Sequence, residues 1–228
     1  MDLDLFYSEN PPEDWEIVLG PEMHYHYRGQ DVVNDILELI PPNSKVLDCG
    51  CGWGGTGKFL KEHGHDVTGV TISKAQADYI KDFPVIHADL HDFTPTESYD
   101  VGVMIECYFH LRDPRKVFDN LVPHVKNLII VDVVCSSMME IPEFGIKIGP
   151  REYIFGNLWK VGYVVHNSQE KIDFFEKTKK EWASGLNKLP KERLTGHLLR
   201  LKHLCDYEGE ESISKADLKQ IIILAKRR

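Results

Sequence analysis

The feature that most constrains this chain is a series of short, almost uninterrupted apolar runs separated by stretches with helical spacing. Lys45-Val46-Leu47-Asp48, Asp66-Val67-Thr68-Gly69-Val70, Val85-Ile86-His87, Val101-Gly102-Val103-Met104-Ile105 and the run from Leu128 to Val134 read as five strands. Helical patterns follow the first through Lys58, Phe59 and Leu60, the second from Ser73, and the fourth from Pro114. Strands apolar on both faces and joined by helices belong to a mostly parallel sheet covered on both sides, an α/β architecture. Beyond the fifth strand the pattern predicts a loop over 136–150, a helix near 151–160, a strand at Tyr163-Val164-Val165, helices near 169–187 and 190–205, and a last strand from Gln220 to Ala225. Ahead of the first strand, Val32, Val33, Ile36, Leu37, Leu39 and Ile40 mark one face of a helix that Pro41-Pro42 stops, and residues 1–29 read as irregular.

Composition narrows the partners. The formal net charge is −9, so a phosphate backbone would be repelled and nucleic acid is not an expected partner. Hydrophobic residues at 42% and charged residues at 28% fit a globular chain, and 228 residues suffice for one full α/β domain with a remainder for a lid. No apolar run approaches the roughly 18 to 20 residues that cross a bilayer, and the start, Met1-Asp2-Leu3-Asp4, is acidic where a signal peptide is basic. Cys49, Cys51, Cys107, Cys135 and Cys205 lack zinc-knuckle spacing and are expected to be reduced thiols in a cytoplasm, with no metal.

The most informative stretch is Val46-Leu47-Asp48-Cys49-Gly50-Cys51-Gly52-Trp53-Gly54-Gly55. Glycines at a strand-to-helix turn let the backbone approach a ligand closely. Gly50, Gly52 and Gly55 alone also match the dinucleotide fingerprint. Two details argue against a pyridine nucleotide. Asp48 would repel a pyrophosphate but suits a cationic amine, and the second strand ends Val70-Thr71 where that fingerprint wants an acid. Asp48 as a plain helix cap, and Thr71 with Gln76 as cap and surface residue, are the competing structural readings.

The stretch from Val46 to Phe59 resembles motif I of the class I S-adenosylmethionine-dependent methyltransferases. The continuation from Val67 to Gln76 is similar to the branch containing the cyclopropane and mycolic acid synthases and related small-molecule enzymes, in which a Thr and a Gln five apart serve the ribose. The resemblance runs over about residues 30–134, with a weaker echo in the last strands. It implies a Rossmann-like, doubly wound, mostly parallel seven-stranded sheet with an antiparallel last strand and a helical lid insertion. Residues 1–228 are then one domain: an N-terminal arm and helix (1–40), a cofactor core (41–135) and a substrate-side half (136–228) with the lid at about 167–215. The resemblance implies S-adenosyl-L-methionine as cofactor. Asp48, Gly50, Cys51, Gly52 and Trp53 would seat its methionine end, Thr71, Ile72 and Gln76 its ribose, and Asp89 with Leu90 its adenine; the competing reading of Trp53 is a wedge of the loop against the first helix. Glu106 would lie at both cofactor and chemistry, and His110 and Tyr25 are the remaining catalytic candidates. Tyr25 and His26 match the family's stretch that closes over the cofactor.

One position departs from the cyclopropane synthases. They carry a Glu directly before the motif's His, where this chain has Phe109, which argues against lipid cyclopropanation. In the lid, Phe174, Phe175, Trp182, Leu186, Leu198, Leu199 and Leu201 predict an apolar underside, with Met138, Met139, Phe144, Tyr153 and Phe155 as further pocket candidates. The expected activity is methyl transfer to a small amine, phenol or activated carbon, by a monomer or homodimer. Rivals are a cofactor-binding enzyme that rearranges or decarboxylates without methylating, a cyclopropane-synthase-like lipid-modifying enzyme, a methyltransferase acting on a peptide, and a non-catalytic binding subunit.

Overall fold

A computed structural model of the chain describes residues 2–24, 29–171, 174–206 and 218–228. In chain order, helices α1 (Leu3–Ser8), α2 (Pro12–Leu19) and α3 (Gly29–Leu37) precede the sheet. The first half then alternates β1 (Lys45–Cys49), α4 (Gly55–Glu62), β2 (Asp66–Thr71), α5 (Lys74–Tyr79), β3 (Val85–His87), β4 (Tyr99–Ile105), α6 (Pro114–Leu121) and β5 (Val125–Val134). The second half contains a hairpin of β6 (Met139–Ile141) and β7 (Ile146–Ile148), then α7 (Arg151–Val161), β8 (Tyr163–Lys171), α8 (Phe174–Leu186), α9 (Gly196–Asp206) and β9 (Lys219–Arg227).

Seven strands form one sheet in the order β3-β2-β1-β4-β5-β9-β8. β1 to β5 pair in parallel, and β9 runs antiparallel to both β5 and β8. This is the class I methyltransferase arrangement. All seven expected strands are present, and the central ones are apolar runs buried from both sides: Val46, Leu47, Val101, Val103 and Met104 are wholly buried, as are Leu128 through Val131. One core cluster holds Leu47, Met104, Phe118 and Leu158, and the other holds Val33, Ile36, Val103 and Ile129, so side chains of alternate strand positions fill opposite layers. Strand order reverses between β1 and β4, and crevices at the carboxyl ends of such strands are where open α/β sheets bind ligands.

Three expectations need correction. Residues 1–29 are not irregular, since α1 and α2 lie there. Both are shorter than a helix that holds in isolation. Asp2 caps α1 by accepting from the Leu5 N–H at 3.2 Å, and α2 starts with Pro12, Glu13 and Asp14, a favourable first turn. Packing does the rest: Trp15 is fully buried with Val18, Met23, Leu186 and Leu198. The 136–150 segment contains the β6–β7 hairpin rather than a loop alone. The strand expected at 163–165 continues to Lys171 through a bulge between Val165 and Asn167, so the first lid helix begins at Phe174 and not near 169.

The N-terminal arm is fastened to the lid by Asn10, which is 1% exposed. Its amide donates to the Thr195 carbonyl at 3.1 Å, and its oxygen accepts from the Leu198 N–H at 3.1 Å. Arg200 pairs with Glu9 beside it. Asn10→Ala leaves both backbone groups without that partner. It should lower unfolding stability by about 1–3 kcal/mol in denaturant titrations and speed proteolysis between α1 and α2.

Candidate active site

The site begins where β1 ends. Gly50, Gly52 and Gly54 all have positive φ, at 77°, 54° and 91°. Gly50 also lacks room for a side chain, since a Cβ would lie 2.5 Å from the Cys107 Sγ. The turn therefore passes hard against the loop after β4, and only glycine permits it.

Two carboxylates flank this contact on the neighbouring strands. Asp48, in β1, is 2% exposed and accepts a hydrogen bond from the Gly57 backbone, while its Oδ2 has no partner among the described residues. Burial pushes its carboxyl up to about 7. Glu106 follows β4 in a left-handed conformation, φ 48°, with its N–H donated to the Val131 carbonyl at 2.7 Å. Its Oε1 is likewise unpartnered. Burial, and then the charge of Asp132, push Glu106 up to about 8. Buried carboxylate oxygens without donors are costly unless a ligand supplies the charge or the hydrogen bond.

Asp132 explains how the loop after β4 keeps its shape. Wholly buried on β5, it accepts from the Tyr108 N–H at 2.9 Å and the Val133 N–H at 2.7 Å, and the Cys107 and Phe109 backbones also donate to it. Burial still pushes it up to about 7. Sequence reasoning passed over Asp132 as one more residue of an apolar strand; an acid inside such a run was the available signal.

At the end of β2, the Thr71 hydroxyl donates to Gln76 Oε1 at 2.7 Å and accepts from the Ser73 N–H at 3.2 Å. Ser73 caps α5, which carries Gln76 back over the strand end. After β3, Asp89 accepts from the His91 N–H at 2.9 Å, contacts His91 Nδ1 at 2.6 Å and accepts from Arg112 at 3.2 Å. Burial alone would raise its carboxyl, but these donors outweigh it and hold Asp89 below the ordinary value.

His110 closes the 3-10 turn Tyr108–His110. Its Nδ1 lies 3.2 Å from the Gly145 carbonyl, which only a protonated nitrogen can satisfy, so Nδ1 donates and Nε2 is the acceptor. The Tyr7 hydroxyl, 2.6 Å from Nε2, then donates to it. Burial brings His110 down to about 4, so the ring is neutral. Tyr7 packs edge-on to His110 and to His197, whose ring is tilted 3.9 Å from Phe6.

Asp48, Glu106, Thr71, Gln76, Asp89, His110, Tyr7 and His197 line one cavity of about 520 Å³, a size ordinary for a small-molecule site. The sequence profile described as a methyltransferase domain matches residues 22–194, well over half of the chain. The chain belongs to the methyltransferase domain family. It is 36% identical over 100 residues to 2-methyl-6-phytyl-1,4-hydroquinone methyltransferase of Synechocystis sp., a match covering 40% of this chain and 31% of that protein. The curated relatives it matches are longer, and the aligned parts span 24–39% of them. Among solved structures it resembles the cyclopropane synthase MmaA2 of Mycobacterium tuberculosis, with a TM-score of 0.82, 16% identity, and coverage of 99% and 97% of the two chains. It also resembles coclaurine N-methyltransferase, solved with N-methylheliamine and S-adenosylhomocysteine, with a TM-score of 0.75, 17% identity, and coverage of 95% and 81%.

In this chain, every expected site residue but two is on the cavity wall. Trp53 is not on that wall. It is 3% exposed, 6.4 Å from Trp15 and edge-on to Tyr79 at 5.4 Å, wedging the glycine turn against α2 and the lid. Tyr25, like His26, falls outside the described residues. Tyr7 stands against His110, a neighbour missed because residues 1–29 were read as irregular. Of the apolar candidates, Trp182, Leu201 and Phe144 line the cavity, whereas Met138, Tyr153 and Leu199 point outward, at 48%, 40% and 38% exposed. Phe174 and Phe175 lie on α8. No group of His, Cys, Asp and Glu among the described residues is arranged to hold a metal, and no helix there is long and apolar enough to cross a membrane.

Asp48, Glu106 and Asp132 have folded-state values above those of the unfolded chain. Between about pH 4 and their folded values, the folded protein keeps protons that the unfolded chain has released, so stability falls as pH rises through that window. His110 and His197, both lowered by burial, oppose this only below about pH 6.5. The ligand-free melting temperature should therefore fall from about pH 6.5 to 8.5 in scanning fluorimetry. Asp48→Asn should flatten part of that slope, and a melting temperature constant over the range would contradict the assignment.

Proposed function

We propose that this methyltransferase transfers the methyl group of S-adenosyl-L-methionine to a small organic acceptor. The observation that carries the proposal is the pair of buried carboxylates, Asp48 and Glu106. Each has an oxygen lacking a donor, and both border a cavity at the switch point of the sheet. A positively charged amino-acid end fits that pair, and the tight turn at Gly50 leaves backbone within reach of it. The S-adenosylhomocysteine present in the coclaurine N-methyltransferase structure supports the same choice.

The cofactor, when bound, supplies an activated methyl whose bond to sulfur breaks with the electron pair left on sulfur. The chain's part is to hold, align and exclude water. Asp48, with Gly50, Cys51 and Gly52, would hold the ammonium and carboxylate end. Thr71, Ile72 and Gln76 would face the ribose, and Asp89 with Leu90 the adenine. Glu106 would complete the negative side of the crevice. His110, neutral and with Nε2 facing Tyr7, orients the acceptor and takes up its proton, Tyr7 serving as the relay. Residues 1–228 act as one domain, as monomer or homodimer in the cytoplasm, on a small molecule rather than a nucleic acid.

Calorimetry with S-adenosylhomocysteine tests the cofactor assignment. The wild type should bind, and Asp48→Ala should lose most of its affinity; unchanged affinity would remove Asp48 from the site. Release of S-adenosylhomocysteine over a panel of phenols, amines and carboxylates then tests methyl transfer against the rearranging or decarboxylating alternative. Such an alternative would bind the cofactor and release none.

A further inference from the structure

The lid contributes one polar group to the cavity that the cofactor assignment leaves unused. His197, in α9, is 6% exposed, and its Nδ1 has no hydrogen-bond partner among the described residues. Its ring is enclosed by others: Phe6 at 3.9 Å, Trp15 at 4.9 Å, Tyr7 at 5.4 Å and Phe144 at 6.0 Å. Phe6, Tyr7, Phe144 and His110 line the same cavity. A buried ring nitrogen with no partner is a standing deficit that a ligand hydroxyl can remove.

The charge in this ring-lined part favours an uncharged guest. His110 and His197 are both neutral; burial first, then Arg200 and His110, bring His197 down to about 3. The Arg200 guanidinium lies 4.8 Å from the Phe6 ring and pairs with Glu9. Of the wall carboxylates, Asp2 caps α1 and Asp89 is held by His91 and Arg112, while Asp48 and Glu106, each with an unpartnered oxygen, are assigned to the cofactor's cationic end. A protonated amine entering here would gain the attraction of the ring faces but would be desolvated beside a guanidinium and the cofactor's sulfonium, with no carboxylate left to pair with it. A hydroxyl meets no such opposition.

We infer that this methyltransferase selects an uncharged, ring-bearing hydroxy compound over an amine cation of the same shape, and that His197 is the specificity residue that hydrogen-bonds the acceptor's hydroxyl. The inference rests on the methyl-transfer assignment, which supplies the neighbouring sulfonium. Tyr7 and His110 then belong to the reacting group and His197 to recognition.

Two probes matched in shape test it, 2-naphthylmethanol and 2-naphthylmethylamine, the latter protonated near neutral pH. Each is titrated calorimetrically into full-length protein saturated with S-adenosylhomocysteine. The alcohol should bind about tenfold more tightly than the amine. His197→Phe, which keeps the ring packing, should weaken the alcohol about fivefold or more and leave S-adenosylhomocysteine affinity unchanged, which also reports that the variant is folded. His197→Asn, which restores a polar atom near the Nδ1 position, should recover most of the loss. An amine bound as tightly as the alcohol, no binding by either probe, or an alcohol affinity untouched in His197→Phe would overturn the inference. Failure of S-adenosylhomocysteine itself to bind would instead sink the methyl-transfer assignment, and the same titrations into ligand-free protein would then decide the role of His197.

Discussion

The site depends on one carboxylate that touches no part of the cavity's contents. Asp132 gathers backbone N–H groups from Cys107, Tyr108, Phe109 and Val133 and thereby sets the path of the chain after β4. That path puts Glu106 into a left-handed conformation, presses Cys107 onto Gly50 and delivers His110 to Tyr7. A buried acid is an expensive anchor, and here it is stabilised by four amide dipoles rather than by a counter-charge. The positive-φ strain at Glu106 is held by the same bonds.

Much of this was legible in the residues. Strands buried on both faces must be apolar throughout, so the sheet announces itself as runs such as Leu128 to Val134. The glycine turn is equally visible, because its φ values and its contact with Cys107 exclude other side chains. Thr71 and Gln76 meet as their five-residue spacing implied. What stayed hidden was structure that exists only through contacts distant in the chain. The helices α1 and α2 are too short to show a periodic face, and they persist because Trp15 packs under the lid and Asn10 bonds to Leu198. Tyr7 and His197 were consequently invisible as neighbours of His110, being over a hundred residues away from it in one case and inside a lid helix in the other. Trp53 stayed open between covering the cofactor and wedging the loop for a related reason, since its surroundings are built by α2 and the lid and not by the turn that carries it.

The two ends of the cavity differ in electrostatic character. Around the glycine turn, acids without partners await positive charge, whereas around Phe6 and His197 the rings are neutral and a guanidinium lies near. Burial produces both conditions, raising the carboxyls and lowering the imidazoles, so exclusion of water prepares one end for a cation and the other for an uncharged guest.

The short helix α1 touches both ends. Asp4 accepts from the Lys74 N–H and Ser8 bonds to Ser73, next to the residues assigned to the ribose, while Phe6 and Tyr7 reach His197 and His110. Acceptor choice is thus written in two stretches that lie almost two hundred residues apart in the sequence. Chimeras between relatives that exchange the lid helices alone would pair a new underside with an old arm; a transplant of substrate preference has to carry α1 along with α9.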